Sequence, residues 1–371
     1  MIASDSFKGS LSSSSVADAA EKGIRRVLPE CGILKFSVSD GGEGLVDTLV
    51  GALDGRLETA VVSDPLGRKI KAEYGICYET AIIEMAAASG LTLLSSEERN
   101  PMNTSSYGTG ELIKDALSKG CRKFLIGIGG SASCDGGTGA LEALGWKFLD
   151  KDGRPVRTCG KNLRDIVSID DGEAIPELDQ SSFSVACDVD NPFCGPRGAS
   201  FVFSPQKGAS PQEVEALDLG LRNLADVIFD RSGIDIREIA GSGAAGGLGG
   251  ALKFFLGAEL FKGIDMVLDA LHFDDALRDA DLVITGEGKI DNQTLSGKAV
   301  SGVLERCKKF GVPCVALCGT LEMCDELRSA GFDGIFPVWS GQGKIEAAME
   351  ETVAFENVSR TAAEVISMKI L

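Results

Sequence analysis

The chain has one histidine, His272, so the commonest general base is nearly absent and proton chemistry falls to carboxylates, Lys, Cys or Tyr. Its 11 cysteines are odd in number and scattered. None forms a CxxC pair, and the nearest neighbours are Cys314/Cys318, Cys318/Cys324 and Cys187/Cys194. A His/Cys zinc site is therefore not expected, and unpatterned cysteines fit a reducing, cytoplasmic compartment. The opening segment MIASDSFKGS lacks the long apolar run of a signal peptide, and no apolar stretch reaches membrane-spanning length. Positive charge is scarce: 37 Lys and Arg stand against 55 Asp and Glu, a net charge of −18. Such a chain repels polyanions, so no nucleic-acid or membrane partner is expected. A local positive pocket for a small anion is still allowed.

What is present reads as a soluble α/β protein. The length, 371 residues, favours two domains, and 44% hydrophobic with 25% charged residues argues against disorder. Near the start, 1–4 reads as a strand, 12–28 as a helix with Val16, Ala20, Ile24 and Val27 on one face, 33–38 as a strand and 44–52 as a helix. Near the end, strands at 282–285, 312–317 and 334–338 alternate with helices at 296–310, 324–330 and 344–368. Both ends carry βαβ rhythm and predict parallel sheet. The middle differs, with closely spaced strands at 57–62, 69–77 and 81–85 that predict a mixed sheet. The expected architecture is a discontinuous Rossmann-like parallel-sheet domain made of 1–60 and 275–371. An inserted mixed α/β domain of 61–274 completes it, with the active site in the cleft between them.

Five polar, glycine-rich segments follow apolar strands: from Asp5 to Ser10, from Asp40 to Gly44, from Gly127 to Gly137, from Cys187 to Pro192 and from Gly286 to Asp291. One such loop is usually only a turn. Together they place glycines, which let backbone N–H groups approach an anion, beside carboxylates that suit a bound cation. Glycine loops, acidic groups and lysine are the equipment of phosphoryl transfer. Three other matches carry less. The segment from Gly241 to Gly246 fits GxGxxG, but the preceding 235–240 is a poor buried strand. Gly297-Lys298-Ala299 lacks the Ser or Thr and the first glycine of a P-loop. His272 sits in an apolar stretch and reads as structural. There is no GxSxG and no HExxH.

The ordered segments DSFKGSLS from Asp5, DGGEG from Asp40, DPLGR from Asp64, EMAAASGL from Glu84, GIGGSASCDGG from Gly127, CDVDNPF from Cys187, GPRGAS from Gly195, PQKGA from Pro205 and TGEGKIDNQTLSGKA from Thr285 resemble the bacterial-type glycerate kinase family over nearly the whole length. The resemblance implies an enzyme dependent on ATP and Mg2+ that phosphorylates D-glycerate, usually at the 2-hydroxyl. Ser4 stands where the family usually has Pro, and Cys134 where it usually has Asn. Lys8 is the expected phosphate or carboxylate clamp. Ser6, Gly129, Gly130, Ser131, Glu287 and Lys289 are expected at the nucleotide, and Asp40 and Arg197 at the glycerate. Asp188 and Glu287 are the candidate metal ligands. Asp190, Asp188 and Asp291 compete for the role of orienting the hydroxyl. A nicotinamide-dependent dehydrogenase and a non-catalytic sensor of a phosphorylated acid are the alternative readings, and the oligomeric state stays open.

Overall fold

Ser12 opens the first helix of the structure, a computed structural model that describes residues 1–42, 44–295, 298–339, 341 and 344–370. Its hydroxyl accepts the Ser15 N–H at 3.1 Å and caps Ser13–Val27. The buried stripe Val16, Ala20, Ile24 packs with Ile2, Ile284, Val315 and Val358. At Gly23 the helix meets Glu351–Ile370 so closely that a Cβ there would stand 1.9 Å from Ser359 O. The expected single helix over 344–368 is in fact Ile345–Ala348 followed by Glu351–Ile370.

The chain divides into two compact units, Met1–Asp40 with Gly263–Leu371, and Gly41–Lys262. In the first, five strands among the described residues form a parallel sheet in the order Gly334–Pro337, Cys314–Leu321, Val283–Ile290, Ile2–Ser4, Lys35–Ser37. Ile2 faces Ile284 on one side and Lys35 on the other, so both chain ends share this sheet. Ser13–Val27 and Glu351–Ile370 cover one face. Val300 of Ala299–Phe310 and Leu327 pack with Ile290, Ala316 and Cys318 in a separate cluster. From Ile2–Ser4 the chain moves to one edge of the sheet, and from Val283–Ile290 it moves to the other. The strand order therefore reverses between these two neighbours, the position where open α/β sheets receive ligands at strand carboxyl ends.

The second unit holds a six-stranded sheet in the order Glu259–Phe261, Ser182–Ala186, Lys123–Gly127, Thr80–Glu84, Lys69–Cys77, Arg56–Ser63. Its first four strands run parallel and the last two are antiparallel, a mixed sheet. Phe124 and Phe183 stack across neighbouring strands at 4.7 Å. The rhythm of the sequence puts boundaries at 60 and 275. The units part at Asp40/Gly41 and Lys262/Gly263, because Arg56–Ser63 is hydrogen-bonded into the second unit's sheet. Pro211–Ser232 is framed by a Ser210/Glu213 capping box and by Gly233 at φ +72°. No helix among the described residues is long and apolar enough to cross a membrane.

Candidate active site

In the first unit, Ile2–Ser4 stops where Ser4 pairs with Gly286. Asp5 N–H still donates to Gly286 O at 2.9 Å, and the chain then turns through Phe7 and Leu11, which exchange backbone hydrogen bonds of 2.9 and 3.0 Å. Gly9, at φ +76°, makes this turn possible. Lys8 sits exposed at its tip and makes no hydrogen bond or ion pair among the described residues.

The neighbouring strand does not stop there. The sequence predicts a loop from Gly286 to Asp291; the strand instead runs through Gly286, Glu287, Gly288 and Lys289 to Ile290, because Cys314–Leu321 pairs with it as far as Leu321. Glu287 and Lys289 project from the same face of this strand, Glu287 buried and Lys289 exposed toward its carboxyl end. Lys289 is held by Asp291 and Glu322, each at 3.0 Å. The expected helix over 296–310 is seen as Ala299–Phe310; Ser296 and Gly297 lie outside the described residues, as does Glu43 of the DGGEG segment.

A cavity of about 300 Å³ opens at this strand reversal, wholly within the first unit. Its polar wall includes Asp5, Ser6, Lys8, Asp40, Glu287 and Lys298, and its apolar wall includes Phe7, Val338, Trp339, Ile345 and Met349. Burial raises the Asp5 carboxyl above its ordinary pKa; the Ser6 N–H at 2.6 Å opposes this and the charge of Asp40 adds to it. Burial likewise raises Glu287, opposed by Thr294 and Lys298 and reinforced by Asp5 and Asp291. The Glu287 side chain is only 12% exposed, and its Oε1 has no hydrogen-bond partner among the described residues. Lys298 Nζ stands 3.9 Å from the other oxygen, Oε2. Three carboxylates (Asp5, Asp40 and Glu287) share the lining with three ammonium groups (Lys8, Lys289 and Lys298), an arrangement that can receive both a cation and an anion. Among the described residues no three His, Cys, Asp or Glu side chains form a metal cluster. Mg2+ does not need one, since it takes one or two carboxylates and completes its shell with phosphate and water.

The structure brings Ser6, Lys8, Asp40, Glu287 and Lys289 to this cavity, and Asp291 is close enough to act on Glu287. Among the charged lining residues, Asp5 and Lys298 carry no role in the sequence reading: Asp5 stands beside Lys8 in the DSFKGS segment, and Lys298 is hidden by the failed P-loop match.

The second unit carries the other predicted residues. After Lys123–Gly127 the chain turns outward at Gly129 and Gly130, with Gly130 at φ +72°. Leu91 N–H donates to Gly130 O, and Ala132 N–H to Ser89 O, both at 2.9 Å. The N–H groups of Gly129, Gly130 and Ser131 have no acceptor among the described residues. Asp135 anchors the far end of this loop, fully buried. It accepts from Ser106 N and Oγ at 2.7 and 2.8 Å and from Gly137 and Gly139 N at 3.1 and 3.2 Å.

Asp188 and Asp190 follow Ser182–Ala186 and are both exposed. Asp190 Oδ1 lies 3.4 Å from Arg197 Nη2, and Asn191 Nδ2 donates to Arg197 O at 2.7 Å. The expected substrate arginine is thus the partner of the expected catalytic aspartate. Asp235 opens a 3₁₀ turn, Ile236–Glu238, where a dinucleotide fingerprint at Gly241 to Gly246 would need a buried strand. That removes the feature on which a dehydrogenase reading rests.

The profile of the glycerate kinase family matches residues 1–369. A glycerate kinase of Haemophilus influenzae is 47% identical over 354 residues, 95% of this chain and 94% of that protein. A glycerate 2-kinase of Escherichia coli is 43% identical over 98% of this chain and 95% of that protein. The crystal structure of a Salmonella typhimurium protein assigned as glycerate kinase 2 superposes with a TM-score of 0.91 at 44% identity, covering 100% of this chain and 97% of that one.

Proposed function

This chain belongs to the glycerate kinase family, and we propose that it transfers the γ-phosphoryl group of ATP to the 2-hydroxyl of D-glycerate. The hydroxyl oxygen bonds to phosphorus, the bond from the γ-phosphorus to the β–γ bridging oxygen breaks, and ADP leaves. The hydroxyl proton passes to a carboxylate. The observation that carries this reading is Glu287: an enclosed carboxylate with one oxygen unpartnered among the described residues, in a cavity at the strand reversal.

That unpartnered oxygen fits a hard cation, so Glu287 is the first candidate to hold Mg2+, with exposed Asp188 the second. Mg2+, when bound, neutralises charge on the β- and γ-phosphate oxygens. The chain's own groups position the reactants. Lys8, exposed and unengaged, reaches phosphate oxygens, and Ser6, Lys289 and Lys298 add donors from the same cavity wall. The free N–H groups of Gly129, Gly130 and Ser131 suit a phosphoryl group. Asp40 and Arg197 bind glycerate, with Arg197 able to engage a carboxylate through two N–H groups. Asp190 or Asp291 orients the hydroxyl. A loose phosphoryl-transfer transition state asks for positioning more than for a strong base, so a carboxylate that orients the hydroxyl suffices. A cytoplasmic location follows from ATP as donor and from free cysteines at all 11 positions.

An ADP-release assay with ATP, Mg2+ and D-glycerate tests the activity, and phosphorus NMR of the product distinguishes 2- from 3-phosphoglycerate. ADP release that is independent of D-glycerate would count against the reading. A 3-phosphoglycerate product would remove the 2-hydroxyl assignment alone.

A further inference from the structure

Lys207 ends the short turn Pro205–Lys207 in the second unit and is 2% exposed. Lysine is almost never this buried unless paired with an acid. Here no carboxylate stands within ion-pair distance among the described residues. The ammonium instead donates to Ser131 Oγ at 2.5 Å and to Ser133 O at 2.6 Å. Both acceptors belong to the loop whose N–H groups at Gly129, Gly130 and Ser131 are free. The turn is fixed from behind: Lys207 N–H donates to Ser204 O at 3.0 Å, and Gly208, at φ +97°, packs so that a Cβ would lie 2.2 Å from Arg99 O.

We propose that Lys207 is a positioning residue: it orients the Ser131 hydroxyl and supplies the buried positive charge for a phosphoryl group held by Gly129, Gly130 and Ser131. This rests on reading that loop as the phosphate-binding loop. The ammonium occupies a lone pair of Ser131 Oγ, so the Ser131 O–H hydrogen turns away from Lys207 and toward the anion. The cation lacks a carboxylate partner, and a phosphoryl oxygen at the loop provides the missing negative charge. Burial lowers the pKa of Lys207 to about 8. The titratable groups whose charge reaches it are the Cys134 thiol and the Asp135 carboxyl, both buried and both raised by burial. An anion at the loop therefore favours the charged lysine.

The test is a double-mutant cycle on the full chain, with Michaelis constants for ATP and D-glycerate and kcat measured at pH 7. Ser131→Ala and Lys207→Met are each expected to raise one Michaelis constant by about tenfold or more, the range for a lost charge-assisted hydrogen bond. The double variant is expected to be no worse than the worse single one, because both remove the same interaction. In the wild type that Michaelis constant should rise as pH passes 8, and in Lys207→Met it should stay flat. Independent, multiplying effects would overturn the proposal, as would a lower melting temperature with unchanged Michaelis constants. If Lys207→Met does not fold, Ser131→Ala decides alone. Gly130→Ala separates the two layers, since it strains the loop at φ +72°. An effect there but none in Ser131→Ala sinks the role of Lys207 and leaves the loop reading standing. No effect in either removes the loop reading and this proposal with it.

Discussion

Glu287 Oε2 and Lys298 Nζ stand 3.9 Å apart, an ion pair without a close hydrogen bond, and Oε1 of the same carboxylate has no hydrogen-bond partner among the described residues. A carboxylate this enclosed costs stability unless something answers its charge. Its cost makes sense if the charge is used. Glu287→Gln should therefore lower kcat by about 100-fold or more while leaving the melting temperature of the ligand-free protein unchanged or higher. Turnover assays and thermal unfolding check the two halves. A fall in both would make Glu287 a structural residue.

The chain has two tryptophans, and they report on different places. Trp339 lines the cavity, whereas Trp146 is buried in the second unit with its ring edge-on to Phe255 at 6.0 Å. Nucleotide entering the cavity should change the emission of Trp339 and leave that of Trp146. Titration with ATP and Mg2+ should give a saturable change that Trp339→Phe abolishes. A change that survives in Trp339→Phe would move the nucleotide away from this cavity.

Much of the first unit's sheet is legible in the sequence, because the runs at 1–4, 282–285 and 312–317 are short, apolar and spaced by helical stretches. The extension of one strand through Gly286 to Ile290 is not. Glycine, glutamate and lysine are poor strand formers, and only pairing with Cys314–Leu321 holds them extended. Glu287 and Lys289 are legible as a polar set on one face of an extended segment, but that Glu287 is buried and Lys289 exposed comes from what packs over each. Lys207 stays hidden for a related reason. Nothing in PQKGA distinguishes a buried lysine from a solvated one, because its environment comes from Ser131 and Ser133, more than 70 residues earlier. Asp190 shows the opposite limit: its motif is conspicuous, yet the structure gives it an exposed arginine partner.

That partner sharpens the test of Asp190. Its side chain is 78% exposed, and an exposed ion pair contributes little to stability. Asp190→Asn should leave the melting temperature near that of the wild type. The proposed role in orienting the glycerate hydroxyl predicts a fall in kcat of about 100-fold at saturating ATP, Mg2+ and D-glycerate. Near-wild-type kcat would transfer that role, with Asp291 and Asp188 next in line.

Lys207 also makes a prediction about stability and pH in the ligand-free protein. Its pKa falls from 10.5 to about 8 on folding because burial disfavours the charged form. The unfolded chain therefore binds the extra proton between these values, and stability from this group rises with pH across that window. The contribution is fully present above 10.5, is lost as pH falls toward 8, and is absent at pH 7. Its size is about 3 kcal/mol by the energy equivalent of the shift. Lys207→Met lacks the group and should lack the trend. Urea unfolding of both proteins at pH 7 and pH 10 isolates it, since other titrations cancel in the difference. The wild type should gain on the variant by roughly 2–3 kcal/mol between the two values. A difference that stays constant would mean that Lys207 remains charged in the folded protein throughout, held by Ser131, Ser133 O and the field of Asp135 rather than released by burial.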